Sequence, residues 1–322
     1  MAVTELVSIA VLDDYQDVAS RLADWTSLSD ARTVFFRDHV ADAEQLADRL
    51  QPFEVVVLMR ERTRLDETII ARLPRLKLIV TVGTWNAAID MAAAKRHGIV
   101  VAGTDGGGPH GPSAFTWALV LAITRNVVAE VASVRTGGWQ IGLGVELAGK
   151  TLGLLGLGVL GEAVSRYGAA FGMRTIAWSQ NLTTEKAAVV GVERVEKAEL
   201  FRRSDVLSVH LKLSDRSRGL VGATELGLMK PTAFLINTSR GPIVDEAALV
   251  ETLRDRKIAG AGLDVFGEEP LPATHPFRYL PNVIATPHIG YVTEETYRMA
   301  YGQIVADIAG WLAGTPVRVL NA

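Results

Sequence analysis

Short apolar runs alternate with longer amphipathic segments along almost the whole chain. Val7–Leu12, Val55–Met59, Leu78–Val82 and Val100–Ala102 are apolar at nearly every position and are bounded by polar or glycine-containing turns. Such runs read as strands buried on both faces of a parallel sheet. Between them, Ala41–Leu50 and Asp66–Arg72 carry apolar residues at three- and four-residue spacing, the period of a helix laid on that sheet. A second series runs Thr151–Leu155, Thr175–Trp178, Val206–His210, Ala233–Asn237, Gly260–Val265 and Val283–Thr286. Helices are expected over Ser113–Val128, Gly161–Phe171 and Thr293–Ala313, the last ending beside Pro316. The pattern predicts an α/β protein built from doubly wound parallel sheets.

The texture changes at Gly103. The stretch Gly103-Thr-Asp-Gly-Gly-Gly-Pro-His-Gly-Pro112 is the densest in glycine and proline and is expected to be irregular. It reads either as a loose linker or as a hinge beside a cleft, and the ordered helix and glycine motif that follow favour the hinge. A length of 322 residues fits two domains at roughly 100–200 residues each. With 48% hydrophobic and 21% charged residues, the chain has ample apolar side chain for two cores.

Formal net charge is −3, with Lys and Arg dispersed, so neither nucleic acid nor an anionic membrane is expected as a partner. Cysteine is absent, which excludes a disulfide framework, a thiolate metal site and a thiol nucleophile. The six histidines, at 39, 97, 110, 210, 275 and 288, form no paired helical motif, and no metal is expected. The segment Met1–Leu12 lacks the basic opening of a secretory signal and reads as a first buried strand. The apolar run at Ala114–Ile123 falls short of the roughly 20 residues that span a bilayer. A cytoplasmic protein is the expectation.

Gly156-Leu-Gly158-Val-Leu-Gly161 lies between a buried strand and an apolar-striped helix. In that setting the first glycine permits a tight turn, the second lets backbone approach a pyrophosphate, and the third lets helix and strand pack closely. The amide-bearing end of the helix then faces the phosphate charge. At the end of the next strand, where an acidic residue would bind a ribose 2′-hydroxyl, the chain has Ser179-Gln180-Asn181. A dinucleotide is expected, with NAD and NADP both open.

Arg240, Glu269 and His288 each follow a predicted strand, where open α/β sheets place their ligands. An Arg can hold a carboxylate bidentately, a His can exchange a proton near neutral pH, and a Glu beside the His can orient it and keep it charged. These are the needs of hydride transfer to a 2-keto acid, and the three match them one for one.

The chain resembles the D-isomer-specific 2-hydroxyacid dehydrogenases, whose members include phosphoglycerate and hydroxypyruvate dehydrogenases. The resemblance is carried by Leu147–Gly158, Leu235-Ile-Asn-Thr-Ser-Arg-Gly241, Gly262-Leu-Asp-Val-Phe-Gly-Glu-Glu-Pro270 and Thr286-Pro-His-Ile-Gly290. It implies a flavodoxin-like substrate domain from residues 1–102 and 291–322, with a Rossmann NAD(P)-binding domain, 103–290, inserted between them. It also implies a homodimer formed through the nucleotide domain. His288 would be the acid/base, Glu269 its partner, and Arg240 the residue that orients the substrate. The cofactor would meet Gly156, Gly158, Val159, Leu160, Gly161, Ser179, Gln180, Asn181, His210, Thr238, Arg240, His288 and Gly290, with Asp264 on the nicotinamide carboxamide. Substrate would meet Arg240, His288, Trp85 and Arg60, with its carboxylate on the backbone of Val82–Gly83.

Several positions depart from the family pattern. The substrate loop reads Gly83-Thr84-Trp85 where a second glycine is usual, Val159 stands where Arg is usual, and Ala114 where a helix-start Glu is usual. The sequence ends at Ala322, so the C-terminal regulatory domain of some phosphoglycerate dehydrogenases is not expected. Arg60 and Arg62 in Leu58-Met-Arg-Glu-Arg-Thr63 either face a second anionic group of the substrate or are surface charges paired with Glu61 or Asp66. The alternative function on this fold is a cofactor-sensing binding protein of the corepressor type. Turnover of 2-keto acids separates the two.

Overall fold

The computed structural model describes residues 6–322. Residues 1–5 of the predicted first strand therefore lie outside the described residues. The chain divides into two compact units, one running to Gly107 and resuming over Val292–Ala322, the other spanning Gly108–Tyr291.

The first unit holds β1 (Val7–Val11), β2 (Ala31–Phe35), β3 (Val55–Leu58), β4 (Leu78–Thr81) and β5 (Val100–Gly103). They form one parallel sheet in the order β2-β1-β3-β4-β5, the flavodoxin-like order with its switch point between β1 and β3. β3 and β4 are buried at every position, which is why they read as unbroken apolar runs. β2 was not anticipated. It is the edge strand, half-buried, and its Ala-Arg-Thr-Val-Phe sequence carries no continuous apolar signal. Leu46, Leu50, Leu65, Ile69, Ile70 and Leu73 close one face of the sheet. The C-terminal tail returns to β5, with Leu320 N–H donating to Val101 O at 2.7 Å and Gly103 N–H to Arg318 O at 3.1 Å.

The second unit holds β6 (Thr151–Leu155), β7 (Arg174–Trp178), β8 (Glu193–Arg194), β9 (Val206–Val209), β10 (Phe234–Asn237), β11 (Gly260–Leu263) and β12 (Val283–Ala285). Their order, β12-β11-β10-β9-β6-β7-β8, is the Rossmann order 3-2-1-4-5-6 with one further strand, and all pairs are parallel. The two-residue β8 is too short and polar to have been read from the sequence. One core layer gathers around Trp117, Val120 and Val164, another around Phe201, Leu235 and Leu253.

Two helical expectations need correction. The helix predicted from Ser113 begins at His110, so the last residues of the glycine-rich stretch are regular structure. It ends at Thr124, and a second helix, Val127–Arg135, departs at 63°. Asn126 stands between them at φ 54°, a left-handed conformation that ends a helix and that Asn tolerates better than most residues. Among the described residues, no single helix is long and apolar enough to cross a membrane.

Candidate active site

The glycine motif is built as its spacing requires. Gly156 has φ +108°, and a Cβ there would lie 2.6 Å from the carbonyl oxygen of His210. A Cβ on Gly161 would lie 2.4 Å from the Gly156 carbonyl oxygen, so helix Val159–Ala170 can start this close to β6 only with glycine. Gly158, the N-cap, faces open space instead. The contrast matters: two glycines are filled in by protein, while the middle one leaves room for a ligand at the helix's amide end, as a pyrophosphate needs.

Strand β7 ends at Trp178, and Ser179–Asn181 form the turn that follows, closed by Leu182 N–H to Ser179 O at 3.1 Å. His210 follows strand β9, and its Nε2 lies 2.8 Å from Ser208 Oγ. Burial pushes the His210 imidazole down to about 4, so it is neutral at pH 7.

At the end of β10 the buried Asn237 folds the chain back. Its Oδ1 accepts from Ser239 N–H at 3.1 Å and its Nδ2 donates to Arg240 O at 3.1 Å. Thr238 Oγ1 pairs with Thr116 Oγ1 at 2.8 Å, Ser239 Oγ donates to the Leu211 carbonyl, and Arg240 Nη1 donates to Ser239 O at 2.8 Å. Asn237 was not singled out from the sequence. The signal was there in a strand-end Asn two and three residues before the groups it binds, the spacing of a side-chain-closed turn.

After β11, Asp264 is buried and binds the segment that follows β12. Oδ1 accepts from Thr286 Oγ1 at 2.6 Å and Ile289 N–H at 2.9 Å, and Oδ2 accepts from Gly290 N–H at 2.8 Å. Burial raises its carboxyl above the ordinary range, against the pull of those three bonds and of the nearby His288. Asp264 thus pins the residues on either side of His288.

His288 sits at φ 52°, its N–H turned back onto Thr286 O at 2.9 Å. Its ring stands edge-on to Tyr291, with centroids 5.6 Å apart. Nδ1 lies 2.6 Å from Glu269 Oε2, and Glu269 Oε1 accepts from Phe266 N–H at 2.9 Å. Both side chains are about a quarter exposed, so neither is sealed from solvent. With Nδ1 committed to Glu269, Nε2 is the ring atom left to meet a ligand. Gly241, next to Arg240, packs against the loop that carries Glu269: a Cβ there would fall 2.1 Å from the Phe266 carbonyl.

The remaining candidates belong to the first unit. Arg60 follows β3 at φ 55°, its carbonyl held by Asn86 Nδ2 at 2.6 Å, while the same Nδ2 donates to Thr81 Oγ1 at 2.8 Å. A Cβ on Gly83 would lie 3.8 Å from Arg60 Nη1, so the guanidinium stands over the Gly83 turn. The amides expected to receive a carboxylate are used inside the unit. Val82 N–H donates to Leu58 O at 3.1 Å and Gly83 N–H to Thr104 Oγ1 at 2.9 Å. Trp85 is 63% exposed. Arg62 differs from the surface reading: its guanidinium donates to Asp13 O at 2.8 Å and Tyr297 Oη at 3.3 Å and lies 4.6 Å over the Tyr15 ring. Asp66 pairs instead with Arg64, at 3.3 Å.

A Rossmann sheet with an open glycine cradle, here with a paired Glu–His at its strand ends, defines a dinucleotide-binding α/β protein. The sequence profile of the D-isomer specific 2-hydroxyacid dehydrogenase NAD binding domain matches residues 117–290. Glyoxylate reductase from Aeropyrum pernix is 44% identical over 247 residues, 74% of each chain. D-3-phosphoglycerate dehydrogenase from Methanocaldococcus jannaschii is 38% identical over 286 residues, 86% of this chain but 54% of that longer one. The crystal structure of phosphoglycerate oxidoreductase from Vibrio cholerae superimposes with a TM-score of 0.92 at 36% identity, covering 96% of this chain and 100% of that one. The chain belongs to the D-isomer specific 2-hydroxyacid dehydrogenase family, and the relatives named above are oxidoreductases.

Proposed function

We propose that this chain interconverts a small D-2-hydroxy acid and its 2-keto acid with a nicotinamide cofactor, using His288 as acid/base. The observation that carries the reading is the 2.6 Å contact between Glu269 Oε2 and His288 Nδ1, on segments pinned by Phe266 and Asp264. The Glu269 carboxylate at Nδ1 orients the ring and leaves Nε2 to pass a proton to a developing alkoxide. In the oxidative direction the same nitrogen takes the hydroxyl proton. Arg240 supplies a planar fork for the substrate carboxylate. Arg60, beside the Gly83–Trp85 turn, is the candidate for a second anionic group on the substrate.

The open face of Gly158 and the amide end of helix Val159–Ala170 fit a dinucleotide pyrophosphate. Gly156, Val159, Leu160 and Gly161 would line it, Ser179, Gln180 and Asn181 would meet the ribose, and His210, Thr238 and Gly290 would border the rest. Asp264 Oδ2, with one acceptor direction used by Gly290, would take the carboxamide. When bound, the nicotinamide supplies or accepts the hydride at the substrate's second carbon. The reading includes a homodimer through the nucleotide domain, supported by apolar residues left on its surface: Val127, Val128, Val131 and Val134, then Trp139, Ile141 and Leu143.

The test is a spectrophotometric screen of 2-keto acids, glyoxylate among them, with NADH and NADPH. Turnover of at least one is expected, and His288→Gln should lower it roughly 10²–10⁴-fold while cofactor binding stays near normal. Silence across the panel with both cofactors, or full activity in His288→Gln, would overturn the reading.

A further inference from the structure

The loop that carries Glu269 is tied down from outside the Glu269–His288 pair. Glu246 opens the helix Glu246–Arg254, directly after its N-cap Asp245. Its two carboxylate oxygens diverge onto two points of the loop. Oε2 accepts from Gly267 N–H at 3.0 Å, two residues before Glu269, and Oε1 lies 3.1 Å from His275 Nε2. His275 is the N-cap of the short turn Pro276–Arg278, and its Nδ1 accepts from Phe277 N–H at 3.2 Å.

That second bond fixes the tautomer. A ring nitrogen that accepts a backbone N–H carries no proton, so the neutral ring has its hydrogen on Nε2, aimed at Glu246. The ring therefore joins the far end of the loop to the helix, and Glu246 joins the near end to the same point. Glu269 lies between the two anchors, with its own Oε1 on Phe266 N–H. Glu246 and His275 face each other, Glu269 and Asp264 act on His288, and the Arg278 guanidinium donates to Pro272 O at 2.9 Å and to Leu271 O within the loop.

From this geometry we propose that Glu246 and His275 are positioning residues that hold the Glu269 carboxylate on His288. The proposal rests on the reading of His288 and Glu269 given above. It goes beyond that reading in assigning a role to residues that touch neither substrate nor cofactor. A freed loop would let Glu269 turn to solvent, and the imidazolium would lose part of its stabilising charge.

Two substitutions at His275 separate positioning from simple support of the fold. His275→Asn retains an oxygen where Nδ1 stood, so the turn keeps its cap, but nothing reaches Glu246. His275→Gln keeps a donor where Nε2 stood and gives up the cap. In hydroxy-acid oxidation, where Nε2 must be unprotonated to take the hydroxyl proton, the acid limb of the kcat/KM profile should move to lower pH by less than about one unit in His275→Asn and stay near wild type in His275→Gln. Glu246→Gln, with one acceptor in place of two, should move it in the same direction as His275→Asn. In a Glu269→Gln background His275→Asn should add no further shift, because its effect passes through Glu269.

If Glu269→Gln moves the acid limb while His275→Asn and Glu246→Gln leave it in place, the positioning role is overturned and the Glu269–His288 reading stands. If the limb follows loss of the cap, moving in His275→Gln and not in His275→Asn, the positioning role is again overturned. If Glu269→Gln itself moves nothing, the Glu269–His288 reading fails and the positioning role fails with it.

Discussion

Gly241 presses its α-carbon against the backbone of Phe266, and a methyl group there would sit 2.1 Å from both the carbonyl carbon and oxygen. The turn that presents Arg240 and the loop that presents Glu269 thus meet backbone to backbone, just beyond the ladder that pairs β10 with β11. Gly241→Ala should force them apart. Overpacking of this kind costs about 1–3 kcal/mol of stability. The activity loss should exceed what the remaining folded fraction explains, so both quantities are to be measured on the same preparation. A destabilised but fully active variant would show that Arg240 and Glu269 need no common spacing.

Arg240 should not tolerate the loss of its fork. Arg240→Lys keeps the charge and gives up the bidentate geometry, so kcat/KM should fall by at least about tenfold, corresponding to about 1.4 kcal/mol. Near wild-type kinetics in the Lys variant would leave the carboxylate to another residue.

Arg60 gives a test of substrate class. Its guanidinium stands over the Gly83 turn, so Arg60→Ala should raise KM for a phosphorylated or dicarboxylic 2-keto acid more than for glyoxylate. Equal changes for the two would retire the second-anion reading.

The turn Ser179–Asn181 offers hydroxyl and amide groups with no carboxylate and no cation, and such groups bond a 2′-hydroxyl or a 2′-phosphate alike. Discrimination between NADH and NADPH is expected to stay within about 1–2 kcal/mol, roughly five- to thirty-fold in kcat/KM. Ser179→Asp should favour NADH strongly by repelling the phosphate. A wild-type preference above a thousandfold would mean that a different residue reads the ribose.

Two buried groups give the two units opposite responses to acid. Burial pushes Asp307, on the helix Glu294–Leu312, up from 3.8 to about 6; Arg318, 2.8 Å away, opposes this and Asp105 adds to it. Such a carboxyl binds more protons folded than unfolded. Its contribution to stability is complete below about pH 4 and lost as pH rises through 6. His210, lowered from 6.5 to about 4, binds more protons unfolded; its contribution is present above 6.5 and lost as pH falls through 4. Native-state hydrogen exchange between pH 4 and 6 should show helix Glu294–Leu312 losing protection as pH rises while β9 gains it. Asp307→Asn should abolish the first trend and spare the second. Parallel trends in both regions would refute the assignment.

The apolar surface of helix Val127–Arg135 and the segment after it supplies the last test. Val131→Glu together with Leu143→Glu should shift sedimentation equilibrium from dimer toward monomer, because a charge buried at an apolar contact has no partner there. A wild-type chain that sediments as a monomer would remove the dimer from the proposed function.

Much of this protein was legible in its sequence because burial on both faces writes itself into composition. β3, β4 and β6 are buried at every position, and their polar residues, Thr81 and Thr151, stand at strand ends, so the apolar runs that mark buried parallel strands are unbroken. Gly156, Gly158 and Gly161 were equally readable, since their spacing is a constraint on backbone and survives any choice of neighbours. Edge strand β2 and the break at Asn126 were not, because a half-exposed strand and a single left-handed residue leave no periodic trace.

The site divides the same way. Residue type and strand-end position nominated Arg240, Glu269 and His288 one at a time. Only the tertiary structure brought Glu269 and His288 to 2.6 Å, bent the chain at His288 through φ 52°, and spent the Val82 and Gly83 amides on Leu58 and Thr104. The contacts among these join residues far apart in the chain, and the bend at His288 is fixed by such bonds from Asp264 to Ile289 and Gly290. No local pattern encodes them, because the energy that selects them arises from packing and hydrogen bonding across the sheet.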